Sequence, residues 1–156
     1  MCIRDSNYPF DVQILRALAE DGRMTVQNLS DRVGLSPSPV ARRLNRLEKD
    51  GYIKGYAALI DEARLGFGIS VFVSVKLDRQ IDDALANFEK AVRLMPEVVD
   101  CWLMTGNRDY LLRIATRDMG EFERFLTSKL TKLSFVAGLE SSIPLRRVKS
   151  GLARTP

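Results

Sequence analysis

The strongest constraint on the fold is a change in hydrophobic periodicity near the middle of the chain. Before residue 52, apolar residues recur three and four positions apart, which is the spacing of one helix face. After residue 68, a continuous β-branched segment is followed by helical patterns that alternate with strand-like segments. A chain of 156 residues of which 46% are hydrophobic can bury two small cores. We therefore predict an α+β protein with two domains.

The first half contains three short helical patterns. Thr25 and Ser36 are predicted to cap the second and third helices, because their hydroxyls can accept hydrogen bonds from N–H groups of the first turn. Gly34 ends the second helix, and Pro37 occupies the first position of the third, where its missing N–H costs nothing. The apolar positions of the three helices are Ile14, Leu15 and Leu18, then Val26, Leu29 and Val33, then Val40, Leu44 and Leu47. This arrangement predicts a three-helix, helix-turn-helix domain over residues 7–52.

The second half predicts the order β-α-β-β-α-β, which is the ferredoxin-like arrangement. Its predicted strands are residues 69–78, 98–105, 110–116 and 138–145, and its predicted helices run from Ile81 to Met95 and from Met119 to Leu133. We expect this domain to span residues 68–150, with a linker strand at 53–67. Two helices can cover only one face of such a sheet, and the uncovered face would carry apolar residues. That exposed face predicts self-association.

Composition narrows the possible functions. The chain has no histidine, which removes the commonest general base and the commonest zinc ligand. Two cysteines cannot form a disulfide framework and fit a reducing compartment, and no apolar run is long enough to span a membrane. We therefore expect a cytoplasmic protein that is not an enzyme, with no cofactor, metal ion or membrane partner. The net charge of +4 favours a polyanionic partner. Residues 1–6 fit neither pattern, and we assign Cys2 no role.

The third helix carries the side chains expected of a DNA-binding helix. Arginine can pair with guanine edges, asparagine with adenine, and lysine with phosphates. Ser36 and Ser38 lie at the helix start, where N–H groups also point toward a phosphate. The polar side chains predicted to face away from the core are Arg42, Asn45, Arg46 and Lys49, with Arg43 on the flank. An arginine-rich helix face can also be an ordinary solvated surface. The compact three-helix context favours the other interpretation, in which this face binds double-stranded DNA.

The turn between the second and third predicted strands contains groups that suit an amino acid. Gly106 permits a curve rich in N–H groups, Arg108 could bind a carboxylate, and Asp109 could accept from an ammonium group. Glycine, asparagine and aspartate are equally typical of ordinary turns. From the residues alone, both interpretations of the turn remain open.

Two segments resemble the Lrp/AsnC family of transcription regulators. They are DRVGLSPSPVARRLNRLEKDGYIKGYAALID, similar to its DNA-binding half, and MPEVVDCWLMTGNRDYLLRIATRDM, similar to its regulatory RAM domain. The resemblance implies a homodimer, assembled further into tetramers or octamers, and a small effector, usually an amino acid, at the RAM turn. The helix positions that match the family are Ser36, Ser38, Pro39, Arg43 and Arg46. The effector site implied at the turn comprises Gly106, Asn107, Arg108, Asp109, Tyr110 and Leu111, with Asn107 standing where the family often has aspartate.

Two alternatives to a sequence-specific, effector-responsive regulator remain. One is an architectural protein that coats DNA with little sequence preference. The other is an enzyme similar to the sirohaem decarboxylases, which resemble this same two-domain fold. Those enzymes rely on histidines, which this chain lacks. The sequence identifies neither the effector nor the operator, and it does not say whether binding activates or represses.

Overall fold

A computed structural model describes residues 8–78, 82–149 and 155. The described residues form two compact units, divided between Leu59 and Ile60. Residues 1–6 and Ile81, which entered the sequence analysis, lie outside the described residues. No helix in residues 8–78 and 82–149 is long and apolar enough to cross a membrane.

The first unit contains three helices, α1 (Tyr8–Glu20), α2 (Val26–Val33) and α3 (Pro37–Lys49). The Thr25 hydroxyl accepts a hydrogen bond from the N–H of Asn28, which confirms the predicted cap of α2. Gly34 ends α2 at a φ of 70°, in the left-handed region that favours glycine. The buried core of the unit is Ile14, Ala17, Leu29, Val33, Val40 and Leu47.

The predicted cap of α3 is confirmed in position but not in its hydrogen bond. Ser36 lies at the N-cap of α3 with an extended backbone, but its side chain makes no capping hydrogen bond. The Ser36 hydroxyl therefore does not accept from an N–H group of the first turn. The predicted position of Pro37 at the start of the helix is confirmed.

The second unit has the predicted ferredoxin-like order and contains one four-stranded sheet. Its strands are β1 (Ile69–Leu77), β2 (Val98–Leu103), β3 (Tyr110–Thr116) and β4 (Val136–Ser142), and its helices are α4 (Ala84–Val92) and α5 (Met119–Ser128). The strand order is β2-β3-β1-β4, and every neighbouring pair is antiparallel.

The two helices cover one face of this sheet. Phe88 of α4 and Phe122 of α5 pack in one buried cluster with alternate residues of β1 and β3, including Val73 and Leu112. The strand registers place Phe72, Trp102 and Leu111 on the opposite side, which we call the open face. There Trp102 is 44% exposed. The predicted uncovered apolar face is therefore present, although charged side chains share it with these three residues.

Several predicted boundaries are wrong for local reasons. The helix expected to reach Met95 ends at Val92, and Met95 itself directly precedes Pro96, where the helical region is disfavoured. The helix expected to reach Leu133 ends at Ser128, where serine and threonine hydroxyls bond to carbonyls of its last turns and a short 3-10 helix follows. The last strand ends at Ser142 rather than 145, and Pro144 has no N–H with which to extend the pairing.

The predicted linker strand at 53–67 is also wrong. Residues 54–61 form no helix, turn or strand, and residues 62–66 form a turn. A strand requires a neighbour for its N–H and C=O groups. Within the described residues, this segment pairs with none of the four strands.

Candidate DNA-binding and ligand-binding sites

The first candidate site is the exposed face of α3. Because Val40 and Leu47 are buried, the helix turns most of its polar side chains to the surface. The predicted DNA-binding residues that are exposed are Ser36, Ser38, Arg42, Asn45, Arg46 and Lys49. Pro39 and Arg43 are only partly exposed. Six of the eight predicted residues thus share one accessible surface that begins at the helix N-terminus.

Arg43 is directed toward α1 rather than toward the surface. Its Nη1 lies 3.0 Å from Oδ1 of Asp11, and its guanidinium lies 5.6 Å from the centre of the Phe10 ring. Its side chain is only 11% exposed. We interpret Arg43 as a residue that ties α3 to α1 rather than as a direct DNA contact.

Arg46 shares the same carboxylate but remains accessible. Its Nη2 donates to Oδ2 of Asp11, while 48% of its side chain is exposed. A guanidinium has five N–H donors, so this contact leaves donors for another partner. One nitrogen of the Arg46 guanidinium is therefore held by Asp11, and the rest of the group remains accessible.

Asp11 is a functional candidate that the sequence analysis missed. It lies in the first turn of α1 and is 7% exposed. A signal was available, because Asp11 occupies the apolar stripe of the helix, three residues before Ile14 and four before Leu15. An acidic residue on a buried stripe requires a cationic partner from elsewhere in the fold.

The second candidate site is the hairpin loop between β2 and β3, residues 104–109. Gly106 has a φ of 107°, a conformation that other residues rarely adopt. Gly106 and Asn107 are exposed. The tip of the loop is therefore accessible, and its role as a ligand-binding turn stays a prediction.

Asp109 does not lie at the surface of this loop. It is 7% exposed, and its Oδ2 accepts a hydrogen bond of 2.8 Å from the N–H of Leu77. The Nζ of Lys76 lies 3.5 Å from the same oxygen. These contacts hold the loop against the end of β1. They leave the carboxylate poorly placed for the ammonium contact that the sequence analysis assigned to it.

The neighbouring loop residues are divided between surface and core. Nη2 of Arg108 lies 2.9 Å from Oε2 of Glu140, in an exposed ion pair. Tyr110 is 1% exposed, packs on Phe88, and donates its hydroxyl proton to Glu89 at 2.8 Å. Burial, together with that hydrogen bond, raises the pKa of Tyr110. Its side chain belongs to the core, and Leu111 lies on the open face.

A further charged group on the open face was also missed by the sequence analysis. Arg113 donates to both carboxylate oxygens of Glu62, at 2.9 and 3.1 Å, and to Asp100 at 2.9 Å. The two carboxylates raise the pKa of Arg113, the hydrogen bond to Glu62 having the largest effect. Glu62 lies in the turn that precedes β1, so Arg113 fastens this turn to the sheet. Sequence spacing gives no signal for a contact 51 residues apart.

Comparison with family models identifies the class of protein, a DNA-binding regulator with a separate ligand-binding domain. Residues 9–54 match a family model described as winged helix-turn-helix DNA-binding. Residues 70–153 match a model described as the Lrp/AsnC ligand binding domain. The chain belongs to the Lrp/AsnC family of transcriptional regulators.

Known proteins agree with this assignment over almost the whole chain. The Bkd operon transcriptional regulator of Pseudomonas aeruginosa is 47% identical over 88% of this chain and 90% of its own length. The leucine-responsive regulatory protein of Escherichia coli is 37% identical over 89% of this chain and 85% of its own. A transcriptional regulator from Neisseria meningitidis, solved in complex with L-Met, is 38% identical, with a TM-score of 0.88 and 92% of each chain covered. These relatives are regulators, which agrees with the expectation that the chain is not an enzyme.

Proposed function

We propose that this regulator reads double-stranded DNA with the exposed face of α3. The observation that carries the proposal is the one-sided charge of this face. Arg42, Arg46 and Lys49 are exposed on a helix whose opposite side is buried. Arginine and asparagine match base edges, and lysine matches phosphates, so Asn45 completes a set suited to the major groove.

The start of α3 supports a phosphate contact. Ser36 and Ser38 are exposed, and the Ser36 hydroxyl takes no part in capping. A phosphate oxygen at this end would accept from the helix N–H groups and from a serine hydroxyl. We assign Pro39 and Arg43 to shaping and anchoring the helix rather than to direct contact.

We also propose that the functional unit is a homodimer formed through the open face, on which Phe72, Trp102 and Leu111 lie. Two copies would supply two reading helices, for half-sites about one helical turn (~34 Å) apart. Tetramers or octamers would be assemblies of this dimer. Sedimentation equilibrium tests the proposal, because the mass should be at least twice the 17.6 kDa of one chain.

The effector proposed for the hairpin loop is an amino acid with an apolar side chain. The names of two relatives support this class, one being leucine-responsive and one having been solved with L-Met. The loop offers exposed backbone at Gly106 and Asn107, with Arg108 beside them. Arg108 would bind the effector carboxylate, whereas Leu111 is assigned to the dimer interface on the open face. Asp109 and Tyr110 would support the loop from below, since both are buried.

The DNA-binding proposal is tested by comparing two duplexes of the same composition. The matched duplex carries a sequence that the protein selects, and the scrambled duplex does not. We expect tighter binding to the matched duplex at physiological salt, because base contacts add to the phosphate attraction that every duplex offers. Equal affinity for both duplexes would instead support the architectural alternative. We also propose a cytoplasmic location, because the protein must reach the DNA that it binds.

A further inference from the structure

We propose that Asp11 is a positioning residue for DNA reading, which holds Arg46 in one orientation so that Arg46 distinguishes bases instead of merely attracting phosphates. The proposal rests on the proposed function of α3. It concerns a residue on α1 that has no place on the exposed face itself.

The carboxylate of Asp11 is occupied on both sides by α3. Oδ1 accepts from Arg43 at 3.0 Å, and Oδ2 accepts from Arg46. The two arginines are three residues apart and therefore neighbours on the same helix. One buried carboxylate thus contacts α3 at two points, Arg43 and Arg46.

The two arginines differ in burial, and this difference assigns their roles. The side chain of Arg43 is 11% exposed, whereas that of Arg46 is 48% exposed. Arg43 is enclosed between Asp11 and Phe10. Arg46 reaches from the same carboxylate to the surface, with donors left for DNA. Asp11 acts on DNA only through Arg46.

A held guanidinium and a free one recognise DNA differently. Pairing with a guanine edge requires two N–H donors of the planar guanidinium at a defined angle, whereas a phosphate accepts hydrogen bonds from many directions. A long side chain fixed before binding also loses less rotamer freedom when it binds. Removing the charge of Asp11 should therefore free Arg46 for phosphates, preserving general affinity while reducing discrimination.

The test compares Asp11→Asn with the matched control Asp31→Asn. Both changes remove one negative charge from the same unit, but Asp31 is exposed on α2 and bonds only to Gln27 among the contacts described. The probes are a duplex that wild-type protein selects from a random-sequence pool and a scrambled duplex of the same composition. Dissociation constants are measured for both duplexes over a range of salt concentrations.

We expect Asp11→Asn to lose roughly tenfold in discrimination while it keeps or increases its affinity for scrambled DNA. Its salt dependence on scrambled DNA should steepen by about 0.9 in logarithmic slope for each additional phosphate that the variant neutralises. Asp31→Asn should keep the wild-type discrimination. A purely structural role for Asp11 predicts equal losses on both duplexes with no steeper slope, and that result would overturn the proposal.

Arg46→Lys keeps the proposal falsifiable if Asp11→Asn folds poorly. Where Asp11→Asn does fold, a double variant tests whether Asp11 acts through Arg46. Arg46→Lys retains the positive charge and the Asp11–Arg43 pair, and it should also lose roughly tenfold in discrimination because lysine has no planar pair of N–H donors. In the double variant Asp11→Asn with Arg46→Ala, discrimination should equal that of Arg46→Ala alone. Full discrimination by Arg46→Lys would overturn the proposal.

The controls separate this inference from the function on which it rests. Failure of wild-type protein to enrich any sequence from the pool would overturn both. A wild-type protein that discriminates, beside an Asp11→Asn variant that discriminates equally well, would overturn the positioning role alone.

Discussion

The exposed face of α3 and the hairpin loop at residues 104–109 contain similar charged side chains but use them in opposite ways. On α3, Arg43 and Arg46 share the carboxylate of Asp11, and Arg46 remains 48% exposed at the surface. In the loop, Asp109 is buried against β1 and Arg108 is paired with Glu140. A helix can keep one face open to solvent, whereas a hairpin packed on a sheet brings its charges close to groups of neighbouring strands.

This difference explains why one site is easier to predict from the sequence than the other. A charge pattern on a helix predicts exposure from local periodicity alone. The fate of a loop charge depends on strands that are distant in sequence. Four expected outcomes test the contrast, from the largest effect to the smallest.

The largest effect is expected from Asp109→Ala. The substitution leaves the buried N–H of Leu77 without its carboxylate partner and removes the charge beside Lys76. We expect the free energy of unfolding to fall by about 3 kcal/mol. Urea denaturation followed by the fluorescence of Trp102, which lies in the same sheet, measures this loss.

Asn107→Ala is the control for this experiment. Its side chain is exposed, and the stability should change by less than about 0.5 kcal/mol. If Asp109→Ala proves as stable as Asn107→Ala, the carboxylate has no structural role and the contrast between the two regions fails.

The sequence alone specified most of the fold. The order of elements follows from periodicity, and the ends of helices follow from residues such as Thr25 and Gly34, whose effects are local. The helix ends that were wrong depend on hydroxyl and proline chemistry at Thr127, Ser128 and Pro96. The linker was predicted as a strand because strand composition cannot reveal whether a partner strand is present.

The candidate sites were predicted less completely for the same reason. Exposed α3 residues such as Arg42 and Asn45 were recognisable from the helical repeat. The contacts of Asp11 with α3 and of Arg113 with Glu62 join positions more than thirty residues apart. Only the packing of the elements brings these pairs together.

The second effect concerns base recognition by α3. Arg46→Ala should lose about 1–3 kcal/mol of preference for the matched site, if its guanidinium makes one bidentate base contact. Lys49→Ala, which removes a proposed phosphate contact, should weaken binding to matched and scrambled DNA alike. Fluorescence anisotropy with both duplexes measures the two effects. Wild-type affinity and specificity in Arg46→Ala would exclude the base-reading role.

The third effect concerns the buried hydroxyl beneath the loop. Tyr110→Phe removes the hydrogen bond to Glu89 and should cost about 1 kcal/mol of unfolding free energy at pH 7. DNA binding should not change, because the hydroxyl faces the core. A loss of DNA affinity without a loss of stability would contradict this assignment.

The same variant has a defined pH dependence. The pKa of Tyr110 is raised in the folded protein, so its contribution to stability is fully present below the ordinary tyrosine pKa. Above about pH 10, the unfolded chain loses this proton while the folded chain keeps it, and stability falls. The difference in unfolding free energy between wild type and Tyr110→Phe should therefore decrease as the pH rises above 10. Denaturation at a series of pH values measures the decrease, and a constant difference would contradict it.

The smallest effect on stability is expected from Arg108→Ala. Its exposed ion pair with Glu140 should contribute at most about 1 kcal/mol. The response of DNA binding to the effector should nevertheless be lost, because Arg108 is proposed to hold the effector carboxylate. Arg64→Ala removes a comparable exposed ion pair, with Asp61, and should keep the response. Equal effector responses in the two variants would remove Arg108 from the site.

The most direct test of the whole account is fluorescence anisotropy on DNA from upstream of the protein's own gene. Binding is measured at ~150 mM salt with a scrambled competitor, and the twenty amino acids are added singly. We expect specific binding that an apolar amino acid shifts several-fold. Specific binding indifferent to all twenty would contradict the effector site at the hairpin loop, and equal binding to scrambled DNA would contradict the reading role of α3.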